Sequence, residues 1–219
     1  WGENRAGAAI RPVLYEEKPS PVPDPVRKPD TPEFWQKGYL DIHAINSGRG
    51  ECTFIMMPDG TSIMIDAGEI YDVNAEEGEY RVAQKPDASV RPYKVYTEYA
   101  KYFLQPTGRN YLDYFLLSHY HQDHMGSFEE SYGTAGNGYC NTGVMAVFGE
   151  LPFKKLVDRQ KDQAPSTSSY SASLWPSYKQ FAEYAEERYG MEWFRFNVSP
   201  DNRQKQFVPK YDKSYDLTV

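Results

Sequence analysis

The segment CTFIMMPDGTSIMID, residues 52–66, places an Asp-Gly turn between two short apolar runs. This pattern is a strong hairpin signal, because both central residues of such a turn must tolerate a positive φ. Upstream, Leu40, Ile42 and Ala44 alternate with polar residues, as they do in a half-buried strand. We therefore predict three short antiparallel strands between residues 40 and 66.

Further along the chain, helical and strand patterns alternate. Pro92 is typical of a first-turn helix residue, and a helix beginning there carries Tyr96, Tyr99 and Phe103 on one face. Residues 112–117 form a short apolar run that stops at Ser118, and they predict a strand. The remaining predicted elements are a strand at 155–157, a helix through Leu174, Tyr178, Phe181 and Ala185 ending before Gly190, and a strand at 192–198. The order of these elements predicts an α/β fold with layers of the α+β type.

Residues 1–36 differ in composition from the rest of the chain. They contain seven of the 16 prolines and no apolar periodicity. Because proline removes a backbone donor and restricts the residue before it to extended geometry, we interpret residues 1–36 as an N-terminal arm or linker and residues 37–219 as the domain. An irregular stretch packed on its own domain is the alternative. The arm, together with the first residue Trp1, slightly favours an exported protein at the periplasm or cell surface.

Composition limits the possible classes of protein. The chain has 219 residues, 40% of them hydrophobic and 16% aromatic, which argues against disorder. The longest apolar run, Val144 to Phe148, is too short to span a membrane. A net charge of −7 disfavours binding to nucleic acid phosphates. Cys52 and Cys140 cannot build a cysteine-rich zinc site, and one disulfide or two free thiols are both open.

Three of the four histidines lie within the run SHYHQDH, residues 118–124. They directly follow the predicted strand 112–117, where side chains converge at the edge of a sheet. Imidazole and carboxylate are ligands that suit zinc and neighbouring metals. We predict that His119 and His121 bind one ion and that Asp123 and His124 bind a second. The fourth histidine, His43, stands alone on a predicted strand and is interpreted as structural.

The run His119-x-His121-x-Asp123-His124 resembles the signature of the metallo-β-lactamase superfamily. Asp66-Ala67-Gly68, at the end of a predicted strand, resembles the first motif of that superfamily, in which an aspartate closes the third strand. The turn Gly48-Arg49-Gly50-Glu51 ahead of a hairpin resembles the subgroup related to the extracellular domain of bacterial DNA-uptake (competence) channel proteins. Together these motifs cover roughly residues 39–126.

This resemblance implies an αβ/βα sandwich with two divalent metal ions, usually zinc and sometimes manganese. It implies hydrolysis of an ester, amide or phosphodiester bond, in a small molecule or a phosphodiester substrate, by hydroxide that the metals activate. Asp123 is then also a catalytic residue that orients the hydroxide. Asp66 is expected to hold the motif loop through hydrogen bonds from behind the metal ligands.

The second half of the chain departs from the family pattern. After His124 no histidine follows in the last 95 residues, whereas the family uses later histidine and aspartate ligands. We therefore expect the N-terminal half of a sandwich, incomplete as a catalyst, with one sheet face open to a missing C-terminal half or to a second copy. The alternative is a non-catalytic or degenerate metal-binding domain that acts as a binding module.

Other residues carry weaker signals. Asp158 follows an apolar run and precedes an arginine, which favours a structural ion pair over metal binding. Lys85 and Arg91 are candidates for contact with an anionic substrate, with a solvated charged loop as the default. Some of the tyrosines are candidates to line a cleft, although most are expected to pack or to lie on the surface. These candidates are Tyr71, Tyr80, Tyr93 and Tyr96.

Overall fold

The structure is a computed structural model that describes residues 34–70, 85–87, 89–159, 161 and 169–195. Of the predicted arm, only residues 34–36 are described, and Trp35 packs against the hydrophobic core. The end of the predicted strand 192–198 and the alternating C-terminal segment lie outside the described residues. The account below concerns the compact unit that begins at Phe34.

Eight strands and four α-helices are described. The strands are β1 (Asp41–Ala44), β2 (Thr53–Met56), β3 (Ser62–Ile65), β4 (Leu112–Leu117), β5 (Thr134–Ala135), β6 (Tyr139–Cys140), β7 (Phe153–Asp158) and β8 (Glu192–Arg195). The helices are α1 (Pro92–Leu104), α2 (Gln122–Met125), α3 (Gly143–Glu150) and α4 (Ser169–Tyr189). Two short 3₁₀ turns, Gln105–Thr107 and Glu130–Tyr132, complete the described elements. No helix in these ranges combines the length and the apolar character needed to cross a bilayer.

Six strands form one mixed sheet in the order β1-β2-β3-β4-β7-β8. The first three are antiparallel neighbours, which confirms the predicted hairpin at residues 52–66. The pairs β3–β4, β4–β7 and β7–β8 are parallel, and a helix lies between the two strands of each pair in sequence. The fold is therefore a mixed α/β structure, as predicted at this level, and β5 pairs with β6 in a separate two-stranded sheet.

One face of the sheet forms the main core. Phe54, Met64, Phe115, Leu156 and Trp193 are register neighbours on five adjacent strands, and all are buried. Their side chains join those of α1, α3 and α4 in a single hydrophobic cluster. Burying each such side chain contributes about 1.5–3 kcal/mol. The sheet edge that carries the histidine motif is thus built on a rigid support.

The opposite face of the sheet carries a row of partly exposed apolar side chains. Ile42, Ile55 and Ile63 are register neighbours, and Ile42 is 64% exposed. The prediction that Ile42 lies on the covered face of its strand was wrong, because the register pairs His43 rather than Ile42 with the buried Phe54. The His43 ring lies 4.3 Å from the Phe103 ring, and its Nδ1 is 3.1 Å from the Tyr99 hydroxyl.

The two cysteines are free thiols in the structure. Cys52 is buried within the hydrophobic cluster, and Cys140 is partly buried on β6. Burial raises the pKa of the Cys52 thiol well above its usual value, and the nearby Asp66 and Glu51 carboxylates raise it further. Of the two redox states that the sequence left open, the structure has the free thiols.

Candidate metal centre

The histidine motif and Asp66 meet because β3 and β4 are parallel neighbours. Asp66 follows the last residue of β3, and Ser118 follows the last residue of β4. The carboxyl ends of both strands therefore lie at one edge of the sheet. The Asp66 N–H donates to the Leu116 carbonyl at 2.9 Å, which extends the pairing of the two strands to this edge.

Asp66 accepts three hydrogen bonds through its buried carboxylate. Its Oδ1 accepts from the Ser118 N–H at 2.8 Å, and its Oδ2 accepts from the Ser118 hydroxyl at 2.7 Å. The Nδ1 of His124 lies 2.8 Å from the same Oδ2. The backbone of Asp66 has φ +61°, a left-handed conformation that aspartate tolerates better than most residues. This turn points the carboxylate at the motif.

These hydrogen bonds determine which nitrogen of each imidazole carries the proton. The Ser118 hydroxyl has one proton and donates it to Asp66, so it accepts from the Nδ1–H of His119 at 3.0 Å. His124 likewise uses its Nδ1–H for Asp66. When such a ring is neutral, the proton on Nδ1 leaves the lone pair on Nε2, which is the form that binds a metal. The serine–aspartate pair thus favours, in both histidines, the tautomer that a metal ion would require.

Three of the predicted ligands converge on one point. One ligand atom from each of His119, Asp123 and His124 can be chosen so that all three lie within 4.8 Å of one another. The Nε2 of His124 lies 3.4 Å from an Asp123 carboxylate oxygen. His121 is more exposed, and its Nδ1 lies 3.1 Å from the Nε2 of His119. The four side chains thus form one cluster, and their division between two ions stays a prediction.

The chemistry of this cluster fits a divalent metal such as zinc. It offers imidazole nitrogens and a carboxylate oxygen, which are ligands of zinc and neighbouring ions. The pKa of His119 is lowered from its usual value, chiefly by burial and further by the neighbouring His124 and His121. A lowered pKa keeps this imidazole neutral near pH 7, and only the neutral ring can bind an ion.

The ligand-bearing turn α2 is held by peptide groups. The N–H groups of Glu51, Ala67 and Glu69 donate to the carbonyls of Asp123, His124 and Gln122 at 2.7, 2.8 and 3.1 Å. Gly68 lies so close to α2 that a Cβ atom at this position would stand 1.7 Å from the Asp123 carbonyl oxygen. These contacts explain why a glycine follows the Asp66-Ala67 pair.

The other candidate residues have structural surroundings. Tyr93 and Tyr96 are buried, and the Tyr96 hydroxyl donates to the Gly68 carbonyl at 2.7 Å. Burial raises the pKa of Tyr96 well above its usual value, which keeps the hydroxyl protonated as a donor. Lys85 is exposed, and Arg91 binds Glu69. Tyr71 and Tyr80 lie outside the described residues.

Asp158 is held by two aromatic side chains at the end of β7. Its Oδ2 accepts from the Tyr178 hydroxyl and from the Trp193 indole N–H, both at 2.7 Å. The carboxylate is therefore engaged within the core by two neutral aromatic donors, whereas the sequence predicted a structural ion pair.

Two residues of this region had no role in the sequence interpretation. Ser118 links Asp66 to both histidines, and its position between the strand and the motif was the one available signal. Glu69 is fully buried against Arg91, Thr142 and Gly143. Its partners are 22 to 74 positions away in sequence, so no local pattern could have indicated them.

Comparison with known proteins leaves the family open. No family model matches the sequence, and no curated protein is significantly similar to it. The functional interpretation therefore rests on the motif and on the geometry of the site.

Proposed function

We propose that the protein is a metal-dependent hydrolase of the metallo-β-lactamase type, with an ester, amide or phosphodiester as substrate. The observation that carries this proposal is the convergence of His119, Asp123 and His124 beside the buried Asp66. The six-stranded sheet, with its helices on one face, is compatible with one half of an αβ/βα sandwich. The exposed face with the isoleucines would then be the side that a second sheet covers.

The residues of the site have distinct roles in this proposal. His119, Asp123 and His124 would hold an ion, and His121 stands ready as a ligand for the same or a second ion. When bound, zinc or manganese lowers the pKa of a coordinated water and stabilises negative charge that develops on the substrate. Asp66 and Ser118 keep the protons of His119 and His124 on Nδ1. Asp123, whose side chain is 42% exposed, would also orient the hydroxide.

Replacing His119 and Asp123 together with alanine should weaken zinc binding by about tenfold or more, because it removes two ligand atoms from a small cluster. Zinc is titrated into the metal-free protein by calorimetry, and circular dichroism monitors the fold. The matched control is the double change His43→Ala and Asp41→Ala, which removes the same two side-chain types from β1.

The outcomes separate the candidate functions. Equal zinc affinity in wild type and the His119/Asp123 variant would contradict the metal site. Zinc binding that depends on these residues, with turnover of ester, amide or phosphodiester probes by protein containing the whole domain, supports the hydrolase. Dependent binding without turnover of any probe favours the binding module, for which the absence of histidine after His124 is the motivating observation.

We further propose that the sheet face with Ile42, Ile55 and Ile63 associates with a second copy when no other surface covers it. Large exposed apolar patches favour association in water. Lysine at Ile42, which is 64% exposed, should lower the mass found by light scattering at high protein concentration. The control is Tyr189→Lys, a change at a 62% exposed apolar side chain on α4. A monomeric wild type would contradict this part of the proposal.

A further inference from the structure

A buried carboxylate lies directly behind the ligand-bearing turn α2. The Glu69 side chain has no exposed surface, and Arg91 contacts it through two hydrogen bonds of 2.8 Å each. The same carboxylate accepts from the Thr142 hydroxyl at 3.1 Å and from the Gly143 N–H at 3.0 Å. A buried carboxylate with this many charge-assisted partners has a single well-defined position.

The partners of the Glu69 carboxylate belong to two different parts of the fold. Arg91 immediately precedes α1, and Thr142 and Gly143 form the beginning of α3. The Arg91 guanidinium is itself fixed, since it donates to the Asn141 carbonyl at 2.8 Å and lies 3.4 Å from the centre of the Tyr132 ring. The negative charge of Glu69 also lies at the amino end of α3, where the helix dipole stabilises it.

Two backbone contacts connect this carboxylate to the metal ligands. The Glu69 N–H donates to the Gln122 carbonyl at 3.1 Å, one residue before Asp123. Gly143, which the carboxylate binds, packs against the other end of α2, where an added Cβ would stand 1.9 Å from the Met125 carbonyl oxygen. Glu69 and its partner Gly143 therefore contact the first and the last residue of α2, and α2 carries Asp123 and His124.

We propose that Glu69, held by Arg91, is a positioning residue that sets Asp123 and His124 in register with His119 for metal binding. This inference rests on the proposed metal-dependent function and extends it to residues that touch neither metal nor substrate. Its mechanism is the placement of α2, to which Glu69 is hydrogen-bonded through its backbone N–H.

The chain contains a matched control for this role at the other end of the sheet. Asp113 on β4 is also buried, and it accepts from the Ser62 N–H, the Ser62 hydroxyl and Arg109 at 3.0, 3.0 and 2.6 Å. Glu69 and Asp113 thus share one set of donor types: a hydroxyl, a backbone N–H and an arginine. Only Glu69 adjoins the turn that carries the metal ligands.

The test compares Glu69→Gln with Asp113→Asn in the 219-residue chain. Both should lower the melting temperature, because each leaves an arginine without its buried carboxylate. Only Glu69→Gln should weaken zinc binding, by about tenfold or more, as expected for residues that orient metal ligands. Cobalt substituted for zinc gives a second measurement, since its visible absorption band reports ligand geometry and should change only in Glu69→Gln.

Unchanged zinc affinity and an unchanged cobalt spectrum in folded Glu69→Gln would overturn the inference, as would an equal loss of affinity in Asp113→Asn. If Glu69→Gln does not fold, Thr142→Val removes a single donor to the carboxylate and should still weaken zinc binding; wild-type affinity in that variant would also overturn it. Failure of the wild type to bind zinc would remove the proposed function and this inference together. If the wild type binds zinc and the variants bind it with unchanged affinity, only this inference is contradicted and the proposed function stands.

Discussion

Replacing Asp66 with asparagine should weaken zinc binding by about ten- to a hundredfold, the usual effect of changing a residue that orients a metal-binding histidine. Asparagine tolerates the left-handed backbone at this position, so the turn itself is preserved. Its amide NH₂, however, must face either the Ser118 N–H or the Ser118 hydroxyl and the His124 Nδ1–H. One donor then opposes another, which also costs about 1–3 kcal/mol of folding stability.

The control for this change is Asp87→Asn. Asp87 is exposed, and its carboxylate accepts from the Ser89 N–H and the Ser89 hydroxyl, just as Asp66 accepts from Ser118. We expect wild-type zinc affinity and a nearly unchanged melting temperature in this variant. Calorimetric titration with zinc and thermal unfolding of both proteins check the prediction. Tight zinc binding by Asp66→Asn would show that the orientation of His124 does not depend on the carboxylate.

Adding one methyl group at Gly68 should destabilise the protein by about 3 kcal/mol, the upper part of the range for overpacked positions. The Cβ of alanine would stand 1.7 Å from the Asp123 carbonyl oxygen and 2.8 Å from the Glu51 nitrogen. Both are backbone atoms, so neither can move away by rotating a side chain. For a chain of this size, we expect the melting temperature to fall by about 6–12 °C. Zinc affinity should also fall, because Asp123 must shift.

Gly149→Ala provides the opposite case. Gly149 lies within α3, and a Cβ at that position would meet no atom within 4 Å. Alanine is the better helix former by about 1 kcal/mol, so this variant should be at least as stable as the wild type. If Gly68→Ala has the same melting temperature as the wild type, the close approach of residue 68 to α2 does not exist in solution.

Elements with a clear local pattern were predictable. The hairpin at residues 52–66, the start of α1 at Pro92 and the C-terminal end of α4 before Gly190 all follow from turn and cap residues. Helix α3 was missed because its residues 143–148 are all buried, which leaves no polar face and hence no amphipathic period. The prediction of which side chains of β1 face the core was wrong, because the ring of His43, on this edge strand, packs against the core aromatic rings.

The composition of the site and one of its supports, Asp66, were predictable, whereas the supports Ser118 and Glu69 were not. The close spacing of His119, Asp123 and His124 predicted a cluster, since residues on one tight turn stay close in any fold. Asp66 was named from its motif, and its three hydrogen bonds depend on β3 and β4 being neighbours. The pairing of Glu69 with Arg91 depends on how α1 and α3 pack, which a single sequence does not encode as a local pattern.

The way in which α2 is held bears on how the proposed metal site could change its metal preference. Its carbonyls are bound by the N–H groups of Glu51, Ala67 and Glu69, and no side chain of α2 takes part in these contacts. A substitution at position 123 therefore alters the ligand without removing what locates it. Cysteine at that position would present a thiolate from the same peptide and shift preference towards softer ions. In the proposed site, the backbone of α2 would therefore stay in place while substitutions of single side chains change the metal selectivity.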